Sequence, residues 1–157
     1  VWKHYTYNLR PLIEHAMAEP IFACTMKDLQ QNGGRKRMTI DGKDIFILLH
    51  KGQLYAFDSF CYHAGGPLYQ GDIEDTSEYS CIVCPWHKYK LTVQSGEGLY
   101  YSVNPQDLKS PPQLCSKGAK QRTHVVTRQE DRLYITFSYT VKPLGTVESD
   151  HYNGLLM

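Results

Sequence analysis

Two pairs of cysteine and histidine constrain this chain more than any other feature of its sequence. The pairs are Cys61-x-His63 and Cys84-x-x-His87, and the residues between them are typical of loop, strand and loop rather than of a long helix. Two such loops can supply two thiolates and two imidazoles, a ligand set that holds a dinuclear iron–sulfur core. We therefore expect one [2Fe–2S] cluster, with both thiolates on one iron and both imidazoles on the other.

The residue types explain how such a cluster would work. Thiolates are soft ligands that suit iron–sulfur clusters, whereas a neutral imidazole adds no negative charge and so favours the arrival of an electron. We therefore expect the extra electron on the iron bound by His63 and His87. The ring nitrogens that do not bind iron are expected to face solvent, where they can titrate and contact a redox partner.

Zinc is the alternative that the ligand types leave open. The run Cys81-x-x-Cys84-x-x-His87 has a spacing that occurs in zinc sites. With Cys61 and His63 there are five candidate ligands, whereas a tetrahedral zinc site needs four. The glycines and the proline that follow the first pair favour iron–sulfur, because they let the backbone turn tightly beside a cluster. Cys81 is then expected to pack inward from a strand.

Two whole segments around these ligands resemble a known family. CYHAGGPL at residues 61–68 and CPWHKY at residues 84–89 are similar to the two cluster-binding loops of Rieske proteins. The likeness covers roughly residues 45–140 and is greatest to the soluble Rieske ferredoxins of vertebrates, the Rieske domain-containing group. The resemblance implies an all-β Rieske iron–sulfur fold, in which antiparallel sheets carry a cluster-binding subdomain on two hairpin loops.

The two loops differ from those of cytochrome bc-type Rieske proteins at three positions. Gly66 and Trp86 stand where those proteins carry the cysteines of a disulfide, so no clamp between the loops is expected. Tyr89 replaces a smaller hydroxyl residue that donates to a cluster sulfur. The resemblance therefore implies fewer hydrogen bonds to the sulfurs, and a potential in the lower part of the Rieske range of roughly −150 to +300 mV.

The hydrophobic pattern and the resemblance together divide the chain into three parts. Residues 1–19 lack strand alternation and are predicted to be an N-terminal extension with a short helix after Pro11. Residues 20–140 are predicted to form the Rieske [2Fe–2S] domain, in which residues 58–89 carry the cluster. Residues 141–157 are predicted to be a C-terminal tail that drapes over the domain.

Short alternating segments bounded by turn residues predict the strands of this domain. The predicted strands are residues 20–24, 37–40, 44–50, 53–57, 79–83, 90–93, 99–103, 123–128 and 132–139. Thr25 is expected to cap a short helix that runs through Leu29. Residues 104–120 are predicted to be a loop. Its segment 110–112 either packs over the cluster, as the resemblance implies, or is a surface excursion.

Charge and composition exclude some partners. The chain has 17 basic and 16 acidic residues, whereas surfaces that bind nucleic acid or anionic membranes usually show a basic excess. The longest strongly apolar run, at residues 45–49, is far shorter than the roughly 20 residues that span a bilayer. We therefore expect a monomer with no nucleic-acid partner and no membrane insertion.

Cysteine usage bears on the compartment. The five cysteines are an odd number at uneven spacing, which suits a reducing compartment. We therefore expect a cytoplasmic or otherwise intracellular soluble protein, although the sequence begins at Val1 and a lost targeting segment stays an open alternative. Cys24 is expected to be a small buried residue, and Cys115 to be either buried or exposed and oxidisable.

Three functions compete for such a chain. The first is a one-electron carrier between a reductase and an acceptor such as an oxygenase, with no catalytic site of its own. The second, the Rieske module of an oxygenase, requires a further domain with a mononuclear iron held by two histidines and a carboxylate. The chain is too short for that domain, and its other histidines show no such grouping: His4, His15, His50, His124 and His151. The third is a zinc-stabilised binding domain that uses the same ligands. The sequence favours the first.

Overall fold

The computed structural model describes residues 19–138 and 146–153. In these residues the fold is all-β, as predicted, with two antiparallel sheets, one short α-helix and two 3₁₀ helices. The helix predicted after Pro11 lies outside the described residues, as do residues 139–145 and 154–157 of the last predicted strand and the tail.

The elements have the following bounds. The strands are β1 (Ile21–Thr25), β2 (Arg35–Ile40), β3 (Lys43–His50), β4 (Gln53–Asp58), β5 (Asp72–Asp75), β6 (Ser80–Val83), β7 (Lys90–Thr92), β8 (Glu97–Ser102), β9 (Gln113–Ala119), β10 (Thr123–Gln129) and β11 (Arg132–Thr136). The helix α1 (Met26–Gln31) follows β1, and the 3₁₀ helices are Leu68–Gln70 and Glu148–Tyr152. Thr25 caps α1 as predicted, because its Oγ1 accepts a hydrogen bond from the Asp28 N–H at 3.0 Å.

Every strand pairs with its neighbours in antiparallel fashion. The six-stranded sheet has the order β1-β11-β10-β4-β3-β2, and the five-stranded sheet has the order β5-β6-β7-β8-β9. The chain passes from the first sheet to the second after β4 and returns before β10. Both loops with the candidate ligands therefore belong to the excursion that forms the smaller sheet, where the resemblance implied them.

The prediction of a loop over residues 104–120 is wrong in its second half. Here β9 pairs with β8, with Tyr100 opposite Cys115. β9 is the last strand of its sheet and is mostly exposed, so it lacks the alternation by which a half-buried strand is predicted. β5, an acidic strand at the other edge, was not predicted for the same reason. Residues 110–112 are exposed, which agrees with the surface alternative.

Strand β3 joins the two cores of the molecule. Its consecutive apolar residues are buried on both faces, so that Ile45 and Ile47 pack on one side while Phe46 and Leu48 pack on the other. The base core consists of Cys24, Met26, Leu29, Ile45, Ile47, Ala56, Leu133, Ile135 and Phe137. The site core consists of Phe46, Leu48, Phe57, Cys61, Leu68, Ile82, Cys84, Leu91 and Val93. Both candidate cysteine ligands are thus part of the apolar layer between the sheets.

A buried histidine supports the start of the first loop. His124 Nε2 lies 2.8 Å from Asp58 Oδ1, and its Nδ1 accepts the Ser138 N–H at 3.2 Å. Because Nδ1 accepts a hydrogen bond, the ring proton is on Nε2 and is donated to the carboxylate. His124 is therefore a satisfied residue of the sheet, as predicted, and it holds the last residue of β4.

Candidate functional site

The first loop turns back on itself directly after β4. The Cys61 N–H donates to the Gly66 carbonyl at 2.8 Å, and the Gly65 N–H donates to the Cys61 carbonyl at 2.8 Å. Gly65 has φ 73°, a conformation that favours glycine. This tight turn places the Cys61 side chain in the site core, 1% exposed, while His63 is exposed to solvent.

The second loop is the hairpin between β6 and β7. The Cys84 N–H donates to the Tyr89 carbonyl at 2.9 Å, which closes the hairpin. His87 and Lys88 at its tip both have positive φ, 63° and 58°. Two successive residues of this kind give the tight turn that suits twisted strands, at a cost of about 1–2 kcal/mol for each residue that is not glycine. The turn leaves His87 exposed and Cys84 buried.

The two loops bring the candidate thiols together. A hydrogen bond between the sulfurs of Cys61 and Cys84 raises the pKa of Cys61, with burial adding to the rise. The same bond holds the pKa of Cys84 below the ordinary value of a thiol. Metals bind the thiolate form of cysteine. The pair therefore contains one thiol that loses its proton readily, inside an apolar layer.

The two candidate imidazoles also lie side by side. The ring centroids of His63 and His87 are 5.1 Å apart, with their planes at 89°. The site therefore has two paired thiols on its core side and two paired imidazoles on its solvent side. This separation of sulfur and nitrogen donors fits a dinuclear cluster, in which each iron takes one kind of ligand.

Cys81 is separate from this group. It lies in β6, 1% exposed, opposite Glu74 of β5 and Thr92 of β7. Burial raises the pKa of its thiol, and it packs inward as predicted. Within residues 19–138 and 146–153, no three side chains of the types His, Cys, Asp and Glu converge on one point.

Gly66 lies against Cys84 and Trp86 where the two loops meet. A Cβ added at Gly66 would lie 2.8 Å from Cys84 Sγ and 2.9 Å from Trp86 Cβ, which is closer than such atoms approach. The two positions that carry the clamp in bc-type proteins are therefore adjacent here as well. Glycine and a 51% exposed tryptophan take the place of the clamp, so the tryptophan is available for contact from outside.

An aromatic ring covers one face of the imidazole of the first loop. The Tyr89 ring is stacked on His63, with centroids 3.8 Å apart and planes at 15°. The Tyr62 ring packs edge-on against Tyr89 at 5.8 Å. Burial, with the nearby Cys61, raises the pKa of Tyr62 to about 12, so its hydroxyl is protonated at neutral pH. Tyr89 thus contacts the candidate ligand His63 through its ring.

Gln121 is the residue that sequence reasoning missed. Its side chain is fully buried, at 1% exposure. The Nε2 donates to the carbonyls of Asp58 and Phe60 at 3.0 and 2.8 Å, and the Oε1 accepts the Tyr62 N–H at 2.9 Å. Three hydrogen bonds from one amide therefore hold the backbone on both sides of Cys61. No local pattern marks this role, because the loop lies about 60 residues away in sequence.

The described part of the tail packs on the first loop. Arg122 forms two hydrogen bonds with the Asp150 carboxylate, at 2.9 and 2.6 Å, and the buried Asn153 accepts the Asp44 N–H at 3.3 Å. These contacts fix the 3₁₀ helix that carries Tyr152. The Tyr152 ring lies 2.8 Å from the position of a Cβ on Gly65, and its hydroxyl donates to the His63 carbonyl at 3.3 Å.

We expect Tyr152→Ala to loosen the first loop, because it removes the ring that packs on Gly65. The amide hydrogens of Gly65 and Gly66 should exchange with solvent faster, as measured by hydrogen–deuterium exchange. Tyr152→Phe keeps the ring and loses a single hydrogen bond worth about 0.5–1.5 kcal/mol, so its exchange should stay closer to that of the native protein. Equal exchange in the alanine variant and the native protein would contradict this role.

Comparison with known proteins identifies the family. Residues 23–140 match a family model described as soluble Rieske-type ferredoxin. This chain belongs to that family. A Rieske domain-containing protein of Homo sapiens is 52% identical over 105 residues, which cover 66% of this chain and 67% of that protein. The ferredoxin subunit of 3-phenylpropionate/cinnamic acid dioxygenase from Photorhabdus laumondii is 28% identical over 98 residues, 62% of this chain and 88% of that one.

Solved structures from carbazole 1,9a-dioxygenase systems share the fold. The ferredoxin of carbazole 1,9a-dioxygenase from Nocardioides aromaticivorans superposes with a TM-score of 0.54 at 19% identity, over 75% of this chain and 97% of that chain. A chain in a complex of reduced oxygenase and oxidized ferredoxin in carbazole 1,9a-dioxygenase gives 0.52 at 20% identity, over 74% and 91%. At these identities the likeness concerns the fold alone.

Membership of the Rieske-type ferredoxins confirms the predicted resemblance and implies an iron–sulfur cluster. The matched relatives that are ferredoxin components of oxygenase systems support a role as an electron carrier. The donors described above, two thiols and two imidazoles in separate pairs, fit such a cluster. In the described part of the chain, no helix combines the length and the apolar character that crossing a bilayer requires.

Proposed function

We propose that this protein carries single electrons on one Rieske [2Fe–2S] cluster. Cys61 and Cys84 would bind one iron, and His63 and His87 the other. The observation that carries the proposal is the arrangement of these donors, with paired thiols buried in the site core and paired imidazoles exposed beside each other. The electron would come from a reductase and pass to an acceptor such as an oxygenase, without catalysis by this chain itself.

The chain's own residues suit both halves of this task. When bound, the cluster supplies reversible one-electron chemistry. The apolar layer around the two cysteines keeps water away from the sulfur side. The exposed imidazoles of His63 and His87 would hold the other iron on the solvent side, where a docked partner could reach it. The relatives named as ferredoxin components of dioxygenase and alkene monooxygenase systems support an oxygenase as the class of acceptor.

Spectroscopy of the purified protein tests this proposal. We expect a coloured protein with two irons and two acid-labile sulfides per chain, and with an electron paramagnetic resonance signal of one unpaired electron after reduction with dithionite. Metal analysis of the same sample provides the control, because a zinc-stabilised domain would contain zinc in place of iron and sulfide. A colourless preparation, silent in electron paramagnetic resonance and with stoichiometric zinc, would overturn the proposal.

A further inference from the structure

A groove of about 260 Å³ opens beside the tip of the second loop. It runs between that loop and strands β8 and β9. The residues that matter for its chemistry are His87, Lys88, Lys90, Tyr100, Tyr101 and Lys117. We call it the lysine groove. It includes the candidate ligand His87, but nothing in the proposed coordination of the cluster uses its lysines.

The lysine groove is cationic, although the chain as a whole has a net charge of only +1. No acidic residue of the described chain lines it. Lys90 is paired with Glu74 of the neighbouring strand, whereas Lys88 and Lys117 form no salt bridge within the described residues. Two ammonium groups therefore remain available to an acidic partner.

The groove is in direct contact with the candidate redox site. His87 forms part of its wall. On the other side, Lys117 Nζ lies 5.0 Å from the centroid of the Tyr89 ring, and that ring is stacked on His63 at 3.8 Å. A molecule in the groove would touch one imidazole directly and would be separated from the other by a single aromatic ring. This proximity suits electron transfer, whose rate falls steeply with distance.

Exposed aromatic rings complete the surface. In strand β8, Tyr100 is 46% exposed and Tyr101 is 57% exposed. Trp86 of the second loop is 51% exposed. Interfaces between proteins are enriched in tyrosine and tryptophan, because these side chains bury large areas while losing little entropy. Lysines without a carboxylate partner, beside exposed aromatic rings, suit contact with an acidic protein surface.

We propose that the lysine groove is the docking site of an electron-transfer partner, and that this partner presents an acidic face. Carboxylates of the partner would pair with Lys88 and Lys117, while apolar parts of its surface cover Tyr100 and Tyr101. Charge complementarity of this kind mainly accelerates encounter and selects the partner. The proposal rests on the proposed function, since it assigns the partner's chemistry at the same redox site.

Two inorganic oxidants of opposite charge test the groove. The reduced protein is mixed in a stopped-flow instrument with hexacyanoferrate(III), an anion, or with tris(phenanthroline)cobalt(III), a cation. In the double variant Lys88→Glu/Lys117→Glu, oxidation by the anion at low salt should become about tenfold slower, because electrostatic steering is reversed. Oxidation by the cation should become faster. Both differences should vanish at an ionic strength of about 1 M.

A matched control separates the groove from net charge. Lys27→Glu/Lys36→Glu makes the same change of charge on α1 and on β2, an edge strand of the six-stranded sheet. Its rates should stay close to those of the native protein. Equal effects in the two double variants, or none in either, would overturn the proposal. If Lys88→Glu disturbs the visible spectrum, the single variant Lys117→Glu replaces the double variant.

Short poly-L-glutamate then serves as an acidic polypeptide. In the native protein it should slow oxidation by hexacyanoferrate(III), and calorimetry should detect its binding. The Lys88→Glu/Lys117→Glu variant should show neither effect. If the native protein co-sediments with phosphatidylserine vesicles but does not bind poly-L-glutamate, the groove binds an anionic lipid surface and not an acidic protein. That result would overturn the assignment. A colourless native protein that still binds poly-L-glutamate would refute the proposed function, but it would still support the groove as a binding site for an acidic protein.

Discussion

Replacing Cys84 with serine is expected to abolish the cluster while leaving the fold in place. A serine hydroxyl has nearly the volume of the thiol, but it does not ionise at neutral pH and is a poor ligand for iron–sulfur units. Visible absorption and the electron paramagnetic resonance signal of the reduced protein should both be lost. Circular dichroism of the variant should retain the strand signal, because the side chain lies in an apolar layer that serine fills.

Cys81 provides a closely matched control for this substitution. Cys81 and Cys84 belong to the same stretch of chain, and each is 1% exposed. Placing a hydroxyl in either position has a similar cost, about 1–3 kcal/mol if it finds no partner. Cys81→Ser should therefore lose comparable stability yet keep the full cluster signal. Loss of metal in both variants would instead indicate the Cys81-x-x-Cys84-x-x-His87 zinc site.

Replacing Gln121 with methionine is expected to lower the free energy of unfolding by about 3 kcal/mol or more. Methionine matches the shape of glutamine, so the effect comes from the lost amide. Without it the Tyr62 N–H and the carbonyls of Asp58 and Phe60 have no partner from this side chain. The loss costs about 1–3 kcal/mol for each of these groups that finds no other partner. Urea unfolding of the metal-free protein measures the change.

The same variant should lose its cluster faster, since Gln121 holds the backbone on both sides of Cys61. The decay of visible absorption in the presence of an iron chelator measures this loss. Gln30→Met, on the exposed face of α1, makes the same chemical change where it should alter stability by less than about 0.5 kcal/mol. A Gln121→Met protein with the stability and cluster lifetime of the control would refute the role of this amide.

Local patterns account for most of what could be predicted. Thr25 and Asp28 are three residues apart, so the cap of α1 depends only on a short segment. The central strands were predicted from short runs of closely spaced apolar residues, as in β3. The candidate ligands lie in two short motifs, and the glycines that follow the first pair were predicted to let the backbone turn tightly, as Gly65 does at positive φ. In each case the interaction that determines the structure lies within a few residues.

The contacts missed by sequence reasoning join distant parts of the chain. Gln121 reaches a loop about 60 residues earlier, and Tyr152 donates to the carbonyl of His63, 89 residues away. β9 is an exposed edge strand that forms by pairing with β8. Its sequence lacks the alternation of apolar and polar residues from which a strand is predicted. The lysine groove likewise combines Lys88 with Lys117, which lie on different hairpins. No short sequence motif predicts such long-range contacts.

By itself, the sequence determined the donor types and the turns that present them, because ligand chemistry and backbone conformation at Gly65 depend on the residues themselves. Only the tertiary structure decided which side chains pack around those turns and where free charge collects on the surface. The physical reason is that burial and pairing depend on distances between strands, and these distances are set when the two sheets close over β3 and form the site core.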